Sequence, residues 1–275
     1  MRRFARMAPL GAIAAVFLLV LILIALFAPQ LAPYDPIQTD YAATQQAPTR
    51  QHLLGTDHLG RDVLSRIIFG ARVTLLVSLA SVVLAVAIGL IWGVVSVYAG
   101  NRVDMISQRM LEVLMSFPAL ILAMLLMVSL GSGLPTLVIA IGIAQVPLAT
   151  RITRSVVLTV KESAFVEAAR CGGATSGRIM LRHVTPQCVA PMLVVATVNL
   201  GAAIFAEAAL SFLGVGVPPP TPSWGSMLGG VLAQSFNPPW WLVLFPGLAI
   251  ASTVMAANLF GDGLRDFLDP RVRQR

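Results

Sequence analysis

Residues 73–98 read VTLLVSLASVVLAVAIGLIWGVVSVY, twenty-six positions without one charge. About 20 such residues, wound as a helix, cross the ~30 Å hydrocarbon core of a bilayer. The apolar run is continuous rather than alternating, which excludes a strand of a membrane barrel. Within it Gly89 and Gly93 stand four apart, one turn of helix, a spacing that lets a second helix approach closely. The rest of the chain agrees with this stretch. Of 275 residues 57% are hydrophobic and only 11% charged, with a mean hydropathy of +0.84; a soluble domain is roughly a quarter charged. A water-soluble enzyme and a disordered chain are both excluded. The fold class is an all-α polytopic membrane protein.

Five further spans lie either side. Leu10 to Ala28 forms the first, behind Arg2, Arg3 and Arg6, with Pro29 and Pro33 expected to stop it. A cleaved signal peptide is the rival reading of this run, but its apolar region is normally shorter. Met105 to Leu130 and Leu134 to Thr150 are the third and fourth spans, separated by Gly131, Ser132 and Gly133. The fifth runs from about Val189 to Gly216 and the sixth from about Trp241 to Phe260. The stretch joining those two has no charge and is rich in Pro and Trp. We therefore expect an N-terminal portion, 1–71, holding one helix (about 10–28) and an outer segment (29–71). A transmembrane domain, 72–262, follows with a charged loop at 151–185, then a tail at 263–275.

Charge fixes the expected orientation. Fifteen of the 19 basic residues fall on one side if the N-terminus is inside, against Arg50, Arg61, Arg66 and Arg72 on the other. The positive-inside rule then places both termini in the cytoplasm. Eighteen of those residues are arginines, dispersed along the chain, so the net charge of +7 signals topology and not nucleic-acid binding. Cys171 and Cys188 match no metal or disulfide spacing.

No chemistry of its own is written in the chain. It lacks a phosphate-binding loop, H-E-x-x-H and G-x-S-x-G, and its one lysine, Lys161, precedes Glu162. His52 and His58 flank Asp57, yet six residues apart they do not share a helix face as metal ligands would. Two acids fall within the spans. Glu112, near Arg109, suits an interfacial ion pair. Glu207 lies deeper, and the cost of a charge in hydrocarbon predicts that it is buried among helices, lining a pathway or bonding a neighbouring helix.

The charged loop carries Glu167-Ala168-Ala169-Arg170-Cys171-Gly172-Gly173, followed by Arg178, Arg182 and His183 at helical spacing. Alanines favour helix and leave a surface that another protein can approach; the glycines end that helix and permit a sharp bend. An amphipathic loop lying on anionic lipid is the alternative. Glu167-Ala168-Ala169, with Gly173 six residues after the glutamate, resembles the EAA motif of bacterial ABC-importer permeases. The segment from His52 to Arg66 (HLLGTDHLGRDVLSR), together with Leu210–Gly214 (LSFLG), Pro222–Gly225 (PSWG) and Gly261–Pro270 (GDGLRDFLDP), is similar to the dipeptide, oligopeptide and nickel group of those permeases, in the same order. Within that group the chain looks like the second, C-type permease subunit.

The resemblance implies a type I ABC-importer fold of six transmembrane helices in the bacterial inner membrane. It implies that Glu167, Ala168, Ala169, Arg170, Gly173, Arg178 and Arg182 dock on an ATP-binding subunit, and that Gly55, Asp57, Gly60, Arg61 and Asp62 face an extracytoplasmic binding protein. A second permease subunit and two ATP-binding subunits complete the set of expected partners, with membrane lipid around it and no nucleic acid. ATP and magnesium are then held by the partner subunits, and this chain binds no cofactor or metal. Peptides are the expected cargo, with nickel chelates or haem as alternatives on the same architecture. A proton-coupled carrier resting on Glu207 is the more distant reading. We expect short helices near residues 61–70 lying along the membrane surface.

Overall fold

Four of the long helices run on past their apolar stretches through arginine. The computed structural model describes residues 7–234 and 237–268; Arg2, Arg3, Arg6 and the tail from Asp269 onward, with Arg271, Arg273 and Arg275, lie outside them. Helix α1 spans Pro9–Leu26, and after a break at Phe27 a single further turn, α2, spans Ala28–Leu31. Pro29 thus sits inside the first turn of α2, where its missing N–H is not needed. Helix α3 spans Val63–Tyr98, 36 residues and about 54 Å at 1.5 Å per residue. The expected surface helices near 61–70 do not form: those residues are the first turns of α3. The boundary drawn between 71 and 72 falls within it.

The third expected span is broken. Helix α4 spans Asn101–Met115 and α5 Ala119–Leu130, and their axes differ by 89°. Pro118 explains the break: it removes a backbone donor and forces Phe117 away from helical geometry. Residues 101–104, just ahead of the expected span, are the start of α4. Helix α6 spans Leu134–Lys161, eleven residues past the Thr150 limit. Arginine and lysine are good helix formers, so leaving the hydrocarbon is no reason to leave the helix.

The loop expected over 151–185 is correspondingly smaller. Helix α7 spans Ala164–Cys171, and α8 spans Ser176–Phe212 with a π-turn at Met180–Val184. Pro186 lacks the N–H that would return to Arg182, and the wider turn just before it accommodates that loss. Helix α9, Trp224–Gln234, occupies the uncharged stretch taken as loop, and α10 spans Trp240–Leu268. Among the described residues five helices are long and apolar enough to cross a membrane, or six if α4 and α5 count as one.

Packing follows the small residues. A Cβ placed on Gly89 would lie 2.5 Å from the Ala149 Cβ, and one on Gly93 would lie 2.7 Å from the Thr153 Cβ. Here α3 and α6 cross at backbone contact, and Ala149, Thr150 and Thr153 on the facing side are fully buried. The main apolar core is built around this pair by Val77 and Val82 of α3, Leu137, Ala140 and Ile141 of α6, Ala123 and Met127 of α5, and Ala203 and Leu210 of α8.

Overpacking this crossing should be severe. Gly93→Leu is expected to destabilise by about 1–3 kcal/mol or more, lowering the thermal unfolding midpoint of the detergent-solubilised protein. Gly230→Ala, where no atom lies within 4 Å of the added carbon, should leave that midpoint in place. Equal midpoints for the two variants would show that the close crossing is not what holds the helices.

Candidate functional site

Three groups of residues converge on the two ends and the middle of the bundle. At one end, α7 sits across the C-terminal ends of α3 and α6 as a knob. Val166 is its anchor, fully buried against Val94, Val97, Val157, Ile179 and Val184. Ala169 packs partly against the same cluster, while Glu167, Ala168, Arg170, Arg178 and Arg182 are all exposed. The helix ends in a Schellman motif: the N–H of Gly173 bonds to the carbonyl of Arg170 (2.9 Å) and that of Ala174 to the carbonyl of Ala169 (3.0 Å). Gly173 adopts φ +79°, the left-handed conformation that a side chain enters at a cost. No atom lies within 4 Å of where its Cβ would be, so the constraint there is backbone strain alone. Farther up, Arg154 of α6 makes a two-pronged pair with Asp104 of α4 at 2.6–3.0 Å, tying the broken span to the base of the knob. Arg109 and Glu112 pair at 2.8 Å on an exposed face, a contact worth little.

At the other end the segment before α3 folds into a polar knot. The Asp57 carboxylate accepts the backbone N–H groups of Leu59 (2.9 Å) and Arg61 (3.0 Å) and the Arg61 Nε (2.7 Å), with Arg66 Nε at 3.6 Å. The turn closes when Gly60 donates to the Asp57 carbonyl at 3.0 Å; Gly60 has φ +73°, and a Cβ there would run into the Asp40 backbone. Asp62 caps α3, accepting the N–H (2.8 Å) and hydroxyl (2.7 Å) of Ser65, and faces His52 Nδ1 at 3.0 Å. Gly55, at φ +78°, lies against the Gln46 carbonyl and Trp241, whose indole N–H reaches the Thr56 carbonyl at 3.3 Å. Gly55, Asp57, Gly60, Arg61 and Asp62 are thus one unit, fixed to both α3 and α10. Burial holds the His58 imidazole below its ordinary pKa, against the pull of Asp57 and with help from Arg61 and Arg66.

In the middle, Glu207 of α8 is completely buried. Its carboxylate accepts the Thr74 hydroxyl of α3 (2.8 Å) and the Ser211 hydroxyl one turn on (2.8 Å), and Ser223 is a third hydroxyl partner. Ser211 in turn accepts the Val217 N–H at 3.2 Å. The carboxylate therefore joins α8, α3 and the start of α9. Thr74, Ser211 and Ser223 did not stand out in the sequence, although two of them lie in the LSFLG and PSWG stretches. Also missed were Gly225 and Gly229, four apart, where added Cβ atoms would collide with the Ala208 and Phe212 backbone of α8. Trp224 fills the notch at Gly70, its indole N–H donating to the Ile67 carbonyl at 3.0 Å. Among the described residues no cluster of His, Cys, Asp and Glu could hold a metal ion, and both cysteines are free thiols.

Comparison with known proteins gives two family matches. Residues 85–274 match the model of the binding-protein-dependent transport system inner membrane component, and residues 1–48 that of the N-terminal TM domain of oligopeptide transport permease C. The chain is 43% identical over 263 residues to the di/tripeptide transport system permease protein DppC of Pseudomonas aeruginosa, covering 94% of this chain and 86% of that one. It is 41% identical over 273 residues to the glutathione transport system permease protein GsiD of Escherichia coli O1:K1, covering 99% and 89%. With the dipeptide transport system permease protein DppC of Alkalihalophilus pseudofirmus the identity is 40% over 252 residues, covering 92% and 83%.

Removing the buried acceptor should cost more than changing it. Glu207→Leu leaves the Thr74 and Ser211 hydroxyls without an acceptor, a loss of about 1–3 kcal/mol, whereas Glu207→Gln keeps one oxygen for them. The unfolding midpoint should fall clearly for the first and little for the second. At the polar knot, Asp62→Ala removes the cap of α3, worth about 1 kcal/mol or more, and should speed protease cleavage within 35–60 in the membrane-embedded protein.

Proposed function

This chain belongs to the family of binding-protein-dependent transport system inner membrane components, and on that premise we propose that it imports small peptides as one of two permease subunits of an ATP-driven transporter. The family places it in the bacterial inner membrane as a multi-pass protein with a type I importer fold. The peptide cargo is carried by one observation, the 43% identity over nearly the whole chain to a di/tripeptide permease; relatives named for dipeptide and glutathione transport support it.

The roles then divide along the bundle. The knob at Ala164–Cys171 lies in the cytoplasm and docks on an ATP-binding subunit, which holds ATP and magnesium and does the hydrolysis. Its exposed Glu167, Ala168 and Arg170 meet that subunit, with Arg178 and Arg182 beside them, while Val166 passes the contact inward to α3, α6 and α8. A second permease subunit completes the pathway. The polar knot at 52–66 lies outside and receives the binding protein. Both termini are cytoplasmic in this arrangement, as the positive-inside count requires.

The test is uptake of a labelled dipeptide by the complete complex with its binding protein, reconstituted in vesicles containing ATP, with the proton gradient collapsed. Accumulation under these conditions supports the proposal, and its absence while a nickel chelate or haem accumulates overturns the peptide assignment. Glu167→Lys reverses a charge at the docking face and Gly173→Trp strains the bend; each should insert normally but lose peptide-stimulated ATP hydrolysis. If both retain uptake and stimulation, the knob is not the coupling element. Deleting 35–60 should abolish binding-protein-dependent uptake at normal expression.

A further inference from the structure

In the knot two guanidinium groups share a single carboxylate oxygen. The Nε atoms of Arg61 and Arg66 converge on one oxygen, Asp57 Oδ2, at 2.7 and 3.6 Å, and the two side chains are only 11% and 6% exposed. Asp62 is occupied by Ser65 and His52. Among the described residues no second carboxylate comes within ion-pairing distance of either guanidinium. Arg66 spends one more donor on the Pro36 carbonyl, at 3.0 Å; a guanidinium has five. Two guanidinium groups thus sit largely out of water against one shared carboxylate oxygen, with donors left over that a further acceptor would satisfy.

Beside it opens a cavity of about 230 Å³ between the knot, residues 219–221 and α9. Arg61, Arg66, His58, Thr221 and Ser226 line it, over an apolar floor that includes Met227. The His58 Nδ1 is buried and has no hydrogen-bond partner, and burial disfavours the charged form of that ring. Unspent guanidinium donors and the His58 ring thus line one partly open cavity.

We propose that this cavity is a binding site for a carboxylate, held by Arg61 and Arg66 with His58 Nδ1 as a further donor. Two sources offer that group: the C-terminal carboxylate of an incoming peptide, and an acidic side chain of the binding protein. The site rests on the outward placement of the knot proposed above. The test uses the full complex in right-side-out vesicles, with Thr221→Cys in a chain carrying Cys171→Ser and Cys188→Ala. The thiol is treated with membrane-impermeant methanethiosulfonates bearing either a sulfonate or a trimethylammonium group, and modification of this chain is followed by mass. The anionic reagent should react about tenfold faster than the cationic one, relative to a free thiol, and Arg66→Gln or Arg61→Gln should erase that preference. Slowing by a dipeptide but not by its C-terminal amide identifies the peptide as the source. Slowing by the binding protein alone identifies its side chain. Equal rates for the two reagents, a thiol closed to both, or no protection from either source overturns the proposal. Charge-selective labelling confined to inside-out vesicles would instead overturn the outward orientation while leaving the cavity's preference for anions in evidence.

Discussion

Everything in this molecule hangs on the crossing of α3 and α6 at Gly89 and Gly93. In a bilayer, lipid tails are as apolar as leucine, so helices associate through tight packing and not through escape from water. Two missing side chains on α3 let it rest on Ala149, Thr150 and Thr153. That contact fixes the direction in which α6 leaves the membrane. Eleven residues later α6 delivers the chain to α7, whose Val166 returns to the ends of the same two helices. The knob is therefore placed by a contact about two turns deeper in the bundle.

The fold class was legible because the bilayer imposes a length and a composition at once. Every expected span contains a helix, and the Gly89–Gly93 spacing pointed to the close crossing. The ends of the helices were not legible. Hydropathy reports where hydrocarbon stops, whereas hydrogen bonding continues through Arg66 of α3 and Arg151, Arg154 and Lys161 of α6. The uncharged, Pro- and Trp-rich stretch likewise hid α9, whose Gly225 and Gly229 bring its backbone onto α8. Pro118 could have announced the break between α4 and α5, since a proline there disfavours helix in the residue before it; the unbroken apolar content on both sides concealed it.

The candidate residues show a similar division. Gly173 of the knob, and Gly55 and Gly60 of the segment before α3, fall at left-handed backbone positions; the sequence pointed to a helix-ending bend only for the first. Glu207 stood out because a carboxylate among apolar residues has few explanations. Its partners did not, since Thr74 and Ser211 are individually unremarkable inside a span and Ser223 belongs to a stretch with no charge. A buried acid is visible in sequence, but the hydroxyls that make it tolerable are distant along the chain and are brought together only by packing. The Asp104–Arg154 pair, fifty positions apart, was invisible for the same reason.

The π-turn at Met180–Val184 has a geometrical effect far from where it lies. An α-helix advances about 100° around its axis with each residue, and a π-turn admits one residue beyond the regular count. The phase of all that follows in α8 is set there. Glu207 lies 23 residues past Val184, about 35 Å along the axis, and its compass bearing toward Thr74 is inherited from that single wide turn. A tightening to regular α geometry would swing the carboxylate by roughly a quarter of a revolution, away from Thr74 of α3. The azimuth of an acid in the middle of the bundle is thus written into five distant residues, Met-Leu-Arg-His-Val.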